Sequence, residues 1–175
     1  KQTIYVPVAI DQAQRNQMLA LIRSDSSWPR LAEQARGFAE ASFVERVLQE
    51  AAADRLANPG GGVFVVADNG AEADRLVAIF SRSTTAARRP SGDSGDGGLP
   101  SYQYDRDPSV AILVEVKTRS EGYSLDRLGV TVTSVLASSP ATRIQFRGRI
   151  ARVALQKRKI IKYITIYPEG TILEF

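Results

Sequence analysis

The segment RIQFRGRIARV, residues 143–153, contains the residue types best suited to chemistry in this chain. Its spacing predicts a helix on which Gln145, Arg149 and Arg152 lie at i, i+4 and i+7 and so share one face. Gly148 lies beside them and costs a helix about 1 kcal/mol relative to Ala, which indicates close approach to another group. Planar arginine donors suit phosphate oxygens whose charge grows during transfer. Taken alone, the helix could equally present a solvated basic face.

Composition excludes several other chemistries. The chain of 175 residues contains no Cys and no His, which excludes disulfides, thiolate or imidazole metal sites and Ser-His or Cys-His catalysis. With 23 Lys and Arg against 19 Asp and Glu, the chain is mildly basic, which permits a polyanionic partner without requiring one. No signal peptide or membrane-length apolar run is found, so we expect no membrane partner and an intracellular location in nucleus, cytoplasm or virion.

Apolar, β-prone runs alternate with helical segments along most of the chain. The predicted strands are 3–10, 63–67, 110–116, 131–136 and 160–167. Continuous apolar runs of this length are typical of strands buried on both faces of a parallel sheet. Alternation with helices implies right-handed crossovers. We therefore predict one α/β domain over residues 1–175, with three layers and a mainly parallel sheet.

Local signals place the intervening elements. The sequence predicts a helix over 11–22, an irregular segment or short helix over 23–40, and a helix that begins at a capping box, Ser42 to Glu45, and ends at 58–60. Asn69 with Glu72 predicts a second capping box. A further helix is expected to begin near Pro140.

Residues 82–108 are rich in Ser, Gly, Arg and Asp and almost devoid of apolar side chains. Such a composition can bury little surface, so it predicts an exposed, flexible insert with little regular structure. Between Phe80 and Val110 we expect no strand.

Several stretches of the sequence resemble the signature motifs of superfamily-two helicases and the segments around them. The pattern Q-x-x-G-R-x-x-R, the sixth motif, is matched at Gln145, Gly148, Arg149 and Arg152. KTRSEGYSLDRL, residues 117–128, resembles the fifth motif of Swi-Snf proteins. The flanking stretches that agree are residues 3–19, GGGVFVVADN (60–69) and KRKIIKYITIYPEGTILEF (157–175). The chain thus looks like the second, C-terminal RecA-like lobe of a Swi-Snf-type ATPase. It is also similar to the nucleoside triphosphatases and early transcription factors of large DNA viruses.

The resemblance implies a function and a role for each matched residue. Arg149 and Arg152 would be arginine fingers directed at the γ-phosphate of ATP. The residues implied to bind ATP or couple the lobes are Gln145, Gly148 and Gly122. Those implied to contact nucleic acid, expected to be double-stranded DNA, are Lys117, Thr118 and Ser120. The implied function is that of a motor lobe in an ATP-dependent helicase or translocase.

The phosphate-binding loop and the acidic magnesium motif of such enzymes do not occur in this sequence. ATP and magnesium would therefore be held mainly by a first RecA-like lobe, which would be the partner of this chain. The chain alone is expected to lack ATPase activity. The alternative is a non-catalytic RecA-like binding or scaffold module within a larger viral or chromatin-associated assembly. Two departures from the family pattern, Arg119–Glu121 and Val153–Leu155, keep this alternative open.

Overall fold

The computed structural model describes residues 2–24, 27–88, 107–116, 127–134 and 162–169. Its helices are α1 (Gln12–Arg23), α2 (Trp28–Ala57) and α3 (Gly70–Phe80). Its strands are β1 (Gln2–Val8), β2 (Gly62–Ala67), β3 (Ala86–Arg88), β4 (Ile112–Val116), β5 (Leu128–Ser134) and β6 (Lys162–Pro168).

The strands form one six-stranded sheet in the order β1-β6-β5-β2-β4-β3, and every neighbouring pair is parallel. Val63 of β2 lies opposite Ile112 of β4 on one side and Val130 of β5 on the other. The predicted parallel α/β sheet is therefore confirmed, with β2 near its centre.

Side-chain alternation along the strands explains why the sequence runs are apolar throughout. One face carries the side chains that pack with α2 and α3, among them Val65, Val114, Val132 and Ile164. The opposite face carries the alternate positions, such as Phe64 and Leu113, which are also fully buried. A strand buried on both faces needs apolar residues at successive positions.

Helix α2 corrects two predictions. It runs unbroken for 30 residues, so residues 28–40 belong to a long helix and are neither irregular nor a separate short helix. Ser42 lies inside this helix instead of capping it. Ser27 precedes the first turn and Pro29 lies within it, where a missing amide hydrogen costs nothing. Good helix formers such as Ala, Leu, Glu and Gln fill the next turns. The capping-box pattern at Ser42 is therefore coincidental.

Helices α1 and α2 form an antiparallel hairpin. Helix α1 lies where a helix was predicted, and Asp11 caps it: its Oδ1 accepts from the amide of Gln14 (2.7 Å), and its own amide donates to Gln14 Oε1 (3.0 Å). Met18 packs with Leu31 and Ala35 of α2. These contacts form a small apolar cluster separate from the one that joins α2 to the sheet.

Helix α3 begins at Asn69, and the predicted capping box is only half formed. The side chain of Asn69 accepts from the amide of Glu72 (2.9 Å). The carboxylate of Glu72 reaches one residue further back than predicted and accepts from the amide of Asp68 (2.6 Å).

Strand β3 contradicts the expectation that no strand lies between Phe80 and Val110. Ala86–Arg88 pairs in parallel with β4, where Ala86 lies opposite Ile112. Small side chains let this short segment approach the edge of the sheet, and Arg88 donates to Asp74 of α3 (2.8 Å). Residues 89–106 of the predicted insert lie outside the described residues.

The amino edge of the sheet, where the strands begin, is held by polar contacts to the backbone. Asp54 at the end of α2 accepts from the amide of Gly62 (2.7 Å), and Arg127 donates to the carbonyls of Gly60 and Val110. Gly60 has a φ of +77°, which favours glycine. Nearby, hydrogen bonds from the hydroxyl and amide of Ser109 hold the pKa of Asp107 below its ordinary value.

Candidate functional site at the carboxyl edge of the sheet

The carboxyl ends of β2, β4 and β5 meet at one edge of the sheet. Ala67 at the end of β2 lies opposite Val116 at the end of β4, and Val66 lies opposite Thr133 near the end of β5. Strand β2 is therefore flanked by the two strands that lead into the sequence motifs.

The strand order also reverses direction at this point. From β2 the chain proceeds through α3 to β3, beyond β4, whereas from β5 it proceeds to β6 on the opposite side. In open parallel sheets, ligands bind in the crevice outside the carboxyl ends of strands whose connections diverge in this way. The crevice between β2 and β5 is thus where this fold would place a ligand.

All eight residues singled out in the sequence lie outside the described residues: Lys117, Thr118, Ser120, Gly122, Gln145, Gly148, Arg149 and Arg152. In the sequence, the first four of these residues follow β4, and the last four lie between β5 and β6. The predicted roles of the eight side chains remain predictions.

Among the described residues, an arginine and two carboxylates organise this edge. Arg36 of α2 forms ion pairs with Asp68, which follows β2, and with Glu72 in the first turn of α3 (Nε to Oε1, 3.5 Å). All three side chains are largely shielded from water. The loop after β2 is therefore fixed to α2 from one side and to the start of α3 from the other.

This arrangement makes the start of α3 unfavourable for phosphate. The side chain of Asn69 already accepts from the amide of Glu72, and the carboxylate of Glu72 accepts from the amide of Asp68 and opposes the positive end of the helix dipole. An incoming phosphate would also face the carboxylates of Asp68 and Glu72.

Glu115 is a buried carboxylate in β4, within the run 110–116 that was predicted as an apolar strand. It is 2 % exposed, takes part in an interaction, and lies on the sheet face opposite α2 and α3, two residues before Lys117. Thr133 and Thr165 lie in the same row of that face, and their hydroxyls are hydrogen-bonded (3.2 Å). The sequence did contain a sign of this buried carboxylate, because Glu115 is the only charged residue within the apolar run VAILVEV. A charge in a buried strand is tolerated where it has a partner.

The described parts of the chain contain no group of three Asp or Glu residues arranged to hold a metal ion. No helix among them combines the length and apolar character needed to span a membrane.

Solved structures with a similar fold are helicase or ATPase domains. The C-terminal part of the Fun30 ATPase domain has a TM-score of 0.55 and 17% identity over 64% of this chain and 36% of that one. The Hef helicase domain of Pyrococcus furiosus has a TM-score of 0.54 and 14% identity over 89% of this chain and 34% of that one. Domain 2 of the DEAD-box helicase Mss116p, bound to an RNA duplex, has a TM-score of 0.58 and 14% identity over 96% of this chain and 54% of that one.

No family model and no curated protein matches the sequence. The chain spans between about a third and about half of the length of the similar structures. Its all-parallel sheet matches the fold of these domains, which confirms the RecA-like fold predicted from the sequence.

Proposed function

We propose that this chain is the second motor lobe of an ATP-dependent DNA helicase or translocase. The observation that carries the proposal is the position of β2 between β4 and β5. This order places the carboxyl ends of β4 and β5, the strands that precede the fifth-motif and sixth-motif segments in the sequence, on either side of the carboxyl end of β2. A helicase lobe needs its nucleotide-binding and nucleic-acid-binding segments close together, because ATP hydrolysis must change the contacts that the second kind of segment makes with nucleic acid.

In this proposal Arg149 and Arg152 donate to the γ-phosphate oxygens of ATP. Charge on those oxygens changes during phosphoryl transfer, so donors placed in advance stabilise the transition state. Gln145, Gly148 and Gly122 contribute to nucleotide binding and to coupling between lobes. ATP and magnesium are held mainly by a first lobe with a phosphate-binding loop, since this sequence has none.

Lys117, Thr118 and Ser120 are proposed to contact the nucleic-acid backbone. Lysine and hydroxyl side chains bind phosphates without reading base sequence, as a translocating enzyme requires. Lys117 is the first residue after β4 in the sequence, and β4 lies beside β2 in the sheet. The similar domain of Mss116p is bound to an RNA duplex. Double-stranded DNA is proposed here because the motifs most resemble those of the Swi-Snf branch.

The test is arginine substitution in the full-length protein that contains this chain and a phosphate-binding lobe. Arg149→Ala or Arg152→Ala should lower kcat about 100-fold or more, because the lost contacts form mainly in the transition state. KM for ATP should change much less. Arg147→Ala is the matched control, since on a helix Arg147 points roughly 160° away from Arg149. It should leave kcat nearly unchanged.

If all three substitutions affect turnover equally, or none does, the chain is a non-catalytic scaffold lobe. The purified 175-residue chain should itself show no ATPase activity, because it has no phosphate-binding loop. Nucleic-acid-stimulated ATP turnover by this chain alone would overturn the proposed division of the site between two lobes.

A further inference from the structure

A carboxylate lies beside the crevice where this fold would place a ligand. Asp68 directly follows Ala67, the last residue of β2, and the crevice lies outside the carboxyl ends of β2 and β5. The side chain of Asp68 is 23% exposed, so it is shielded from water only in part. A charged ligand in the crevice is influenced by this carboxylate, because interactions between charges extend over roughly 10 Å at about 0.1 M salt.

Arg36 determines the direction in which that carboxylate points. The guanidinium of Arg36 forms an ion pair with Oδ2 of Asp68. Because Arg36 belongs to α2, the pair directs the carboxylate towards the sheet face that α2 covers and away from the crevice. Helix α2 is itself held on this face by buried apolar side chains such as Phe43 and Val47. The arginine is therefore presented by an element with a fixed position.

Glu72 adds a second negative charge at the same edge of the sheet. Its Oε1 lies 3.5 Å from Nε of Arg36, and its side chain is 15% exposed. Two carboxylates thus share one guanidinium, and loss of the arginine would leave both of them without this counter-ion. A polyanion near the end of β2 would then be repelled more strongly, since water screens charges in a partly buried site less well than in free solution.

We propose that Arg36 is a positioning residue that keeps the crevice accessible to a polyanionic ligand. It holds the carboxylate of Asp68 against α2 and compensates its charge. The inference rests on the proposed function, in which the ligand is the phosphate backbone of DNA. It assigns a role to a residue that belongs to none of the matched motifs. Arginine suits this role because it remains charged at physiological pH and its planar group can serve more than one carboxylate.

The experiment measures binding of a labelled DNA duplex to the 175-residue chain by fluorescence anisotropy. Arg36→Gln should weaken binding about threefold to tenfold at about 50 mM salt, because it releases the carboxylate of Asp68 and leaves its charge uncompensated. The ratio of the two dissociation constants should approach one as salt rises to about 200 mM, since salt screens repulsion between charges. A loss that arose only from altered structure would not depend on salt in this way.

A second substitution tests whether the released carboxylate causes the loss. Asp68→Asn, added to Arg36→Gln, should restore the dissociation constant to within about twofold of the wild type, because the repelling charge is gone. The ion pair is still absent from this double variant. A purely structural role of the pair therefore predicts no restoration.

The matched control is Arg36→Gln combined with Glu45→Gln. Glu45 is an exposed carboxylate of α2 and lies roughly 13 Å beyond Arg36 along the helix, towards the amino edge of the sheet. Both double variants have the net charge of the wild type, so the control tests the position of the carboxylate. It should bind DNA as weakly as Arg36→Gln alone.

The single variant Asp68→Asn provides a test that does not depend on the folding of Arg36→Gln. It removes the carboxylate that Arg36 is proposed to control, so it should bind DNA at least as tightly as the wild type. Circular dichroism and urea unfolding check that each variant is folded under the conditions of the binding assay. Weaker binding by folded Asp68→Asn would overturn the inference.

The outcomes separate this inference from the proposed function. If the wild-type chain binds DNA and Arg36→Gln binds it equally well, the role of Arg36 is wrong while the proposed function stands. If both double variants regain binding equally, net charge explains the effect and the inference fails. It also fails if neither double variant regains binding, because Arg36 then acts only through the structure. If the wild-type chain binds no DNA at about 50 mM salt, both proposals fail.

Discussion

Arg36 and Asp68 form an ion pair that joins the long helix α2 to the residue that follows the central strand β2. The pair lies where α2 leaves the sheet and begins to project as a hairpin. Glu72 completes the contact from the first turn of α3. Helix α2 is thus fixed at the carboxyl edge to the residue after β2 and to the start of α3, which lie more than thirty residues after Arg36 in the sequence.

A double-mutant cycle on Arg36 and Asp68 should give a coupling free energy of about 1–3 kcal/mol. The side chains are 16% and 23% exposed, so water screens their attraction poorly. Singly substituted proteins also lose other contacts of Asp68, but the cycle cancels those losses. Urea unfolding of the wild type, Arg36→Ala, Asp68→Ala and the double variant provides the four free energies of unfolding.

The pair between Arg75 and Glu40 is the comparison for that cycle. It also joins α2 to α3, but its side chains are 50% and 33% exposed. The coupling there should stay below about 1 kcal/mol, because exposed pairs contribute little. Equal coupling energies for the two pairs would show that burial does not make the Arg36 contact special.

Gly37→Ala should stabilise the chain by about 0.5–1 kcal/mol. Gly37 lies inside α2, where glycine is less favourable than Ala, and a Cβ at this position would meet nothing within 4 Å. The site faces open grooves of about 380 and 320 Å³ on either side. Urea unfolding measures the change in the free energy of unfolding. A loss of stability would contradict the open space that surrounds Gly37.

Gly61→Ala should have the opposite effect on the free energy of unfolding. A Cβ on Gly61 would lie 2.8 Å from the carbonyl oxygen of Asn58 and would also meet the carboxylate of Asp54. Because these groups hold the turn into β2, relief of the clash requires the backbone to shift. A loss of about 1–3 kcal/mol is expected, and a neutral result would contradict the tight packing of this turn.

Much of the sheet could be predicted from sequence because its strands have a local signature. GVFVVA and ILVEV are continuous apolar runs, and their burial on both faces demands that composition. Strand β3 has no such signature. Its residues Ala86–Arg88 are half-buried and few, and their extended form depends on pairing with β4, more than twenty residues further along the chain.

The first half of α2 could have been predicted as a helix from the spacing of its apolar residues. Its buried positions recur every four residues, at Leu31, Ala35, Ala39, Phe43, Val47 and Ala51. That stripe crosses Ser42 without interruption, whereas the capping-box pattern at Ser42 concerns only one turn. A continuous stripe over five turns is stronger evidence for a helix than a local pattern within it.

The sequence predicted the strands that border the candidate motifs but could not identify which described residues meet at the carboxyl edge. Strand β4, which precedes Lys117 in the sequence, is a recognisable apolar run. The contact between Arg36 and Asp68 joins residues 32 positions apart and belongs to no motif. Only the packing of α2 on the sheet brings these two residues together.

Arg127→Lys should lower the free energy of unfolding by about 1–2 kcal/mol. Arg127 precedes β5, and its guanidinium donates to the carbonyl of Gly60 and, through Nη2, to that of Val110 (3.2 Å). It thereby links the turns that lead into β2 and β4. A lysine has the same charge but one compact ammonium group, which cannot reproduce the planar, two-pronged contact. The backbone carbonyl left without a donor in this half-buried site accounts for the loss.

Arg55→Lys is the control for this prediction. Arg55 also donates to two carbonyls, those of Pro108 and Ser109 (2.9 Å each), but these residues are exposed. Water can replace the lost donors there, so the free energy of unfolding should fall by less than about 1 kcal/mol. Urea unfolding compares the two variants at equal charge. If Arg55→Lys is as destabilising as Arg127→Lys, the decisive factor is the number of hydrogen bonds lost and not their shielding from water.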